Sequence, residues 1–445
     1  MLLFLATTLL ASSDTSGLPE ILPKQFQIKH YDVELRPDIH TASIEGKVSI
    51  QLNAVAPVGK NTRIPRAELK LDVGDLTINS ATLDGEPIVT EKRGTQLFVT
   101  LTSKAALADS HTLSIVYEGK PKKGLYFLPE YQQLYTAFDT SEWLPCDTDP
   151  KVRASLNLKL TLPSNYVIAA NGKQISSRTT QDGKTQYTWL QNEQHACYLY
   201  GFAAGVFRDH SENFSGVELR YLLPPEFKRE EIDTIFGETK ALIRFYEEKS
   251  GKKYPAASYT QVLVNASVAQ ELDGLAIMSA KYGRRVLKDP SGIWLIAHEL
   301  SHQWWGNRVT NASWTEMWLN EGIASYINAA FLESRFGIAR FDSQLNAAKE
   351  AYLKLVSEGK DHALVFPDWD HPSSADRSIV YDKGMYVMHL LRLEVGDDAF
   401  WKGLALFTHE NWQASVRSED LQKAMERASH KNLSTFFTKW VYEVR

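Results

Sequence analysis

Cysteine is almost missing from this sequence: Cys146 and Cys197 are the only two among 445 residues. Two thiols cannot build a disulfide framework, and they are too few to hold a metal by themselves. One bridge is open to them in an oxidising compartment, but burial as free thiols is the expectation. Runs of lysine and arginine are missing too. With 49 basic and 54 acidic residues the formal net charge is -5. A chain without a basic face cannot neutralise phosphates, which excludes nucleic acid as the main partner. No stretch of about 20 apolar residues occurs, so no transmembrane span is expected. There is no internal repeat and no biased tract. The 43% hydrophobic and 23% charged residues are ordinary for a folded globular chain.

The first residues, "MLLFLATTLLASSDTSG", do not read as folded protein. A short apolar run followed by Ala11, Ser12 and Ser13 resembles the core and cleavage region of a secretory signal, without the basic residues that usually open one. Residues 1–17 are therefore expected to be a signal peptide or a disordered leader. The first implies a secreted or periplasmic protein, the second a cytoplasmic one.

The remainder is too long for one small core. Between Phe26 and Phe207 the apolar period is two. "SIEGKVSIQL" sets Ile44, Gly46, Val48, Ile50 and Leu52 against Glu45, Lys47, Ser49 and Gln51, and "ASLNLKLTLP" repeats the pattern at Leu156, Leu158, Leu160 and Leu162. Such runs predict antiparallel sheets with one wet face, here a β-sandwich or saddle over residues 18–208. After "LLPPEF" the period changes. Ile232, Ile235, Phe236, Thr239, Leu242, Ile243 and Tyr246 follow the three-four spacing of one amphipathic helix, and Gly251 stands where a left-handed cap is wanted. Further helical patterns run to the C-terminus. Residues 209–445 are expected to form a mainly helical α+β domain, with the boundary between Arg208 and Gly216.

The chemistry concentrates in "IAHELSHQWWGNRVTNASWTEMWLNEG". His298 and His302 are one helical turn apart, so both imidazoles leave the same face and can converge on one ion. The flanks are apolar nearly all round, which predicts a buried helix. Unpaired charge there is costly, and zinc, which takes imidazole and carboxylate ligands while leaving a position open, would relieve it. Gly306 and Asn307 are expected to end this helix. Ser313 and Glu316 have capping-box spacing and would start a second one, which returns Glu321 to the histidines as third ligand. Glu299 is then free to act as general base, and the expected cofactor is one zinc ion per chain. The bland alternative is a pair of hydrogen-bonded core histidines.

"HELSHQWWGNRVT" followed by "WLNEG" resembles the zinc signature of the aminopeptidase family that includes aminopeptidase N. "LPCDTDPKVRASLNLKLTLP" is similar to that family's N-terminal sheet domain, and "DLQKAMERASHKNLSTFFTKWV" to the end of its thermolysin-like catalytic domain. The resemblance implies an enzyme acting on peptides with a free N-terminus. It implies that Tyr381, in "IVYDKGMYV", hydrogen-bonds the tetrahedral intermediate. The family's Gly-x-Met-Glu-Asn segment is altered here to "VAQEL". Its glutamate survives as Glu271, which the resemblance makes the anchor of the substrate's α-ammonium, a charge-assisted contact. Val268, Gln270 and Leu272 stand in place of Gly, Met and Asn. A second amine anchor falls on Asp139 if a gap is allowed, or on Thr136 without one. Relatives usually continue into a large helical domain, so the resemblance implies a two-domain form whose cleft is open unless an oligomer partner covers it. A metalloendopeptidase and a silent scaffold of the same fold are the competing readings.

Overall fold

The computed structural model describes residues 26–54, 67–101, 110–366, 369 and 372–444. The leader expected at 1–17 lies outside them. An eight-stranded sheet begins the fold, with strand Phe26–Asp38 at its centre, parallel to Arg153–Leu162 and antiparallel to Ser43–Ala54. The alternation read from sequence is the alternation observed. Ile44, Val48, Ile50 and Leu52 are buried on one face, while Glu45, Lys47 and Gln51 are exposed on the other. Gly46 interrupts the apolar row for a steric reason: a Cβ there would lie 2.2 Å from the ring of Tyr117, which fills the space and donates to the Trp143 carbonyl at 3.0 Å.

A three-stranded and a four-stranded sheet pack with the large one around a single core. Stacked sheets are thus what the period-two half builds. Cys146 and Cys197 meet inside this core as free, buried thiols, their sulfurs 3.3 Å apart. The four-stranded sheet is covered on its other side as well. Tyr135, Ala137, Ala169 and Ala203 pack there against Leu222, Val262, Leu272, Leu275 and Ile277 of a five-stranded mixed sheet that starts at Arg208. The edge strand of that sheet, Ala269–Leu272, faces the helical layer.

The helices follow in chain order: α1 (Glu231–Phe236), α2 (Thr239–Ser250), α3 (Ala280–Lys288), α4 (Trp294–Ser301), α5 (Trp318–Phe336), α6 (Ile338–Ser357), α7 (Ser374–Ser378), α8 (Gly384–Val395), α9 (Asp397–Glu410), α10 (Ser418–Ser429) and α11 (Ser434–Phe437). The single amphipathic helix expected from Ile232 to Tyr246 is two pieces. It breaks at Gly237 and Glu238, although its apolar residues are buried as the spacing requires. Gly251 caps α2 in the left-handed region at φ 67°, as expected. Among the described residues no helix is long and apolar enough to cross a membrane.

Two local expectations are corrected. Helix α4 ends at Ser301, before Gly306 and Asn307. The chain then turns tightly through buried Trp304 and Trp305, closed by the Asn307 N–H donating to the His302 carbonyl at 2.9 Å. The capping box at Ser313 is not formed either. Ser313 Oγ accepts from the Thr315 N–H of a short 3-10 turn, and the Glu316 carboxylate accepts instead from the backbone N–H and hydroxyl of Ser418 at the start of α10. A tertiary partner has taken the side chain that a local motif would have used. Helix α5 begins only at Trp318, which puts Glu321 in its first turn.

Candidate metal centre and its cleft

Helix α4 carries the centre because it is buried. Leu295, Ile296, Ala297 and Leu300 anchor it in the core, and His298, Glu299 and His302 go under with them, none more than 7% exposed. Glu321, 3% exposed, approaches from α5. The two imidazole Nε2 atoms are 3.0 Å apart. Glu321 Oε2 lies 3.2 Å from His298 Nε2 and 3.6 Å from His302 Nε2. His298, His302 and Glu321 therefore offer one ligand atom each to a common point.

The tautomer of His302 follows from its other nitrogen. Nδ1 lies 3.0 Å from Asn320 Oδ1 and 3.1 Å from the Trp305 carbonyl, both acceptors, so it carries the proton and Nε2 presents a lone pair to the cluster. Asn320 can reach this close because position 306 is glycine, at φ 129°: a Cβ there would lie 2.1 Å from Asn320 Oδ1. The amide of Asn320 also donates to Glu271 at 3.3 Å and to Glu321 at 3.4 Å. One side chain thus ties together a histidine, a carboxylate of the cluster and the carboxylate expected to anchor an amine.

Burial dominates the electrostatics. It drives His298 down to about 4 and lowers His302, while it pushes the Glu321 carboxyl up to about 7 and that of Glu299 well above the usual range. The surrounding carboxylates add to the last effect. The polypeptide alone therefore disfavours charge on both histidines and on Glu299 and Glu321. Two imidazoles and a carboxylate converging in a buried place are relieved by a shared positive charge, and this donor set suits zinc.

Tyr381 reaches the centre from the turn before α8. Its ring stacks on His298 with centroids 5.8 Å apart, and its hydroxyl hydrogen-bonds Glu321. Burial, reinforced by Glu321, Glu271 and Glu299, raises its phenol well above the ordinary value. The position depends on two glycines. A Cβ at either Gly322 in α5 or Gly384 in α8 would stand 2.9 Å from the other's Cα, so the helices cross with their backbones in contact. Beside Tyr381, Lys383 is fully buried and donates to Asp361 and to the His362 carbonyl at 2.8 and 2.6 Å, which pins the turn.

Glu271 lies on the edge strand Ala269–Leu272 and is 6% exposed. Gln270 donates to it at 2.8 Å and accepts from the Phe138 N–H at 2.9 Å. The residue after Phe138 is Asp139, which lines the same cleft of about 980 Å³ as Glu271, His298, Glu299, His302, Glu321 and Tyr381. The structure thus brings the expected residues to one cleft. Thr136 is elsewhere: it is buried, and its hydroxyl is engaged with the Phe202 backbone. Sequence reasoning missed Asn320 and Gln270. Each adjoins a predicted residue, but neither has a local pattern that announces a bridge between distant groups.

Comparison with known proteins bears on the whole chain. Residues 27–199 match the Peptidase M1 N-terminal domain, and residues 235–440 match the Peptidase family M1 domain. Aminopeptidase N of Lactococcus lactis subsp. lactis is 27% identical over 410 residues, 84% of this chain and 47% of that protein. Aminopeptidase 2, mitochondrial, of Saccharomyces cerevisiae is 24% identical, covering 96% of this chain and 47% of its own. The chain spans about half the length of these relatives. Among solved structures, an M1 zinc metallopeptidase from Deinococcus radiodurans superposes with a TM-score of 0.76 at 22% identity, covering 95% of this chain and 94% of that one. A mutant of the Deinococcus radiodurans enzyme bound to a Tyr-Ser-Ala substrate gives 0.77. At this identity the structural likeness establishes the fold.

Proposed function

Since the chain belongs to peptidase family M1, we propose that it is a zinc aminopeptidase that removes N-terminal residues from peptides. One observation carries this reading: Asn320 binds His302, Glu321 and Glu271 at once, which fixes a carboxylate able to hold an α-ammonium beside the metal-ligand cluster. His298, His302 and Glu321 would hold the zinc, which when bound supplies Lewis acidity toward a peptide carbonyl and makes water a better nucleophile near neutral pH.

The chain's own groups do the rest. Glu299 has no role as ligand and faces the cleft, placed to take a proton from the attacking water and hand it to the leaving amine. Tyr381 directs its hydroxyl into the cluster, where it can donate to the oxyanion of the tetrahedral adduct. Glu271, held by two side-chain amides, receives the α-ammonium in a charge-assisted contact, and its backbone is fixed as well, its carbonyl accepting from the Asn307 amide at 3.2 Å.

The test compares a fluorogenic leucyl or alanyl amide with its N-acetylated twin, using Glu299→Gln as control. Cleavage confined to the free amine and lost in the variant is the expected result. Equal cleavage of both would replace the aminopeptidase with an endopeptidase. No cleavage of a wider substrate panel by zinc-loaded protein would leave a scaffold.

A further inference from the structure

The amine end of the cleft already holds a cation. Lys123, just before strand Gly124–Leu128, places Nζ 2.8 Å from Asp139 Oδ1 and 3.8 Å from Glu142 Oε1. All three line the cleft together with Gln270 and Glu271. The lysine is at Glu271's end of it, because Asp139 follows Phe138, whose N–H is joined to Glu271 through Gln270. The segment has little freedom to move away. Phe138 is held at φ 62°, and a Cβ at Gly124 would stand 2.1 Å from the Asp139 carbonyl oxygen, so these two pieces of chain are in close contact.

A lysine ammonium and the α-ammonium of a peptide have the same chemistry, and a single carboxylate seated by one is less available to the other. We propose that Lys123 is a built-in competitor for the substrate's amino terminus, occupying Asp139 and leaving Glu271 as the principal anchor. This rests on the aminopeptidase reading and adds to it a residue that sets affinity. The lysine and the aspartate are 57% and 38% exposed, so their pairing is that of a surface salt bridge and yields readily to a competing cation. Asp139 also keeps Lys123 protonated, its hydrogen bond raising the ammonium's pKa.

The experiment is a mutant cycle on wild-type protein, Lys123→Met, Asp139→Asn and the double variant, with zinc bound and a leucyl amide as substrate. Lys123→Arg keeps the charge and reports on packing alone. Lys123→Met is expected to lower KM about two- to fivefold, the range a surface ion pair commands, with little change in kcat. The double variant is expected to lose that gain and Lys123→Arg to lack it. An unchanged or higher KM in Lys123→Met, or a double variant that keeps the gain, overturns the proposal. The N-acetylated amide separates the two readings. Wild-type protein that cleaves it as well as the free amine removes the aminopeptidase reading and the competitor with it, whereas a clear preference for the free amine with no KM response to Lys123→Met removes the competitor alone. Calorimetric titration of zinc-loaded Glu299→Gln protein with L-leucinamide gives a readout without turnover, in which adding Lys123→Met is expected to tighten binding and equal binding counts against the proposal.

Discussion

The two ends of the cleft are built by different means. At the metal end, His298 and Glu299 come from α4, His302 from the residue that caps it, and Glu321 from α5, all inside one apolar core. At the amine end, Glu271 comes from a sheet edge of the second half of the chain and Asp139 from a turn of the first half, joined by Gln270 across 132 positions of sequence. The metal end is buried, its side chains at most 7% exposed. The amine end is partly exposed and carries a lysine that shares its acids. On the proposed reading, chemistry that tolerates no misplacement is on packed helices, and recognition, which is graded, is on a seam between two sheet systems.

The sharpest way to separate the ends is to disable one while sparing the other. Glu299→Gln is expected to cut kcat by about 10²–10⁴-fold while zinc stays at one per chain, whereas His302→Ala loses the metal with the activity, both checked by metal analysis beside the rate assay. Glu271→Gln attacks the opposite end. It is expected to lower kcat/KM for a free-amine substrate by about 10–100-fold with no comparable effect on an acetylated one, so the ratio between the two substrates collapses. Asn320→Ala touches both ends, and the contrast predicts a double phenotype: zinc affinity down by about 10–100-fold in a competitive chelator titration, and a raised KM.

Smaller effects sharpen the comparison further. Gly384→Ala forces apart two helix backbones, so it is expected to cost about 1–3 kcal/mol in denaturant unfolding and to lower kcat through Tyr381 rather than raise KM. Gln270→Ala is expected to do the reverse at the amine end. Loss of one hydrogen bond to Glu271, worth about 0.5–1.5 kcal/mol, is to appear as a KM increase of a few-fold with kcat retained.

The metal end was open to sequence reading because its parts lie within one short stretch and obey helical spacing, where periodicity and burial cost suffice. The sheets of the first half were open for the same local reason, the period of two. Tyr381 was reached through resemblance alone, since nothing in its local pattern separates it from the other tyrosines. What stayed hidden depends on partners far along the chain. Glu316 spaces correctly for a capping box and is claimed by Ser418. The break at Gly237 in the helix expected over Ile232 to Tyr246 is the local exception, since what a Cβ there would strike is the Asp233 carbonyl oxygen of the preceding turn. Asn320 and Gln270 are ordinary polar residues until folding places carboxylates, an imidazole or a backbone N–H around them.

The meeting of Gly322 and Gly384 has a consequence for descent. Most core contacts can drift, because a larger side chain on one partner is offset by a smaller one on the other. Here both positions already hold the smallest residue, and what each would strike is backbone. Neither can grow, and neither can shrink to make room. Compensation between the two positions is therefore closed: a larger residue at either one requires the helices themselves to move, and with them the reach of Tyr381 to the histidine it stacks on.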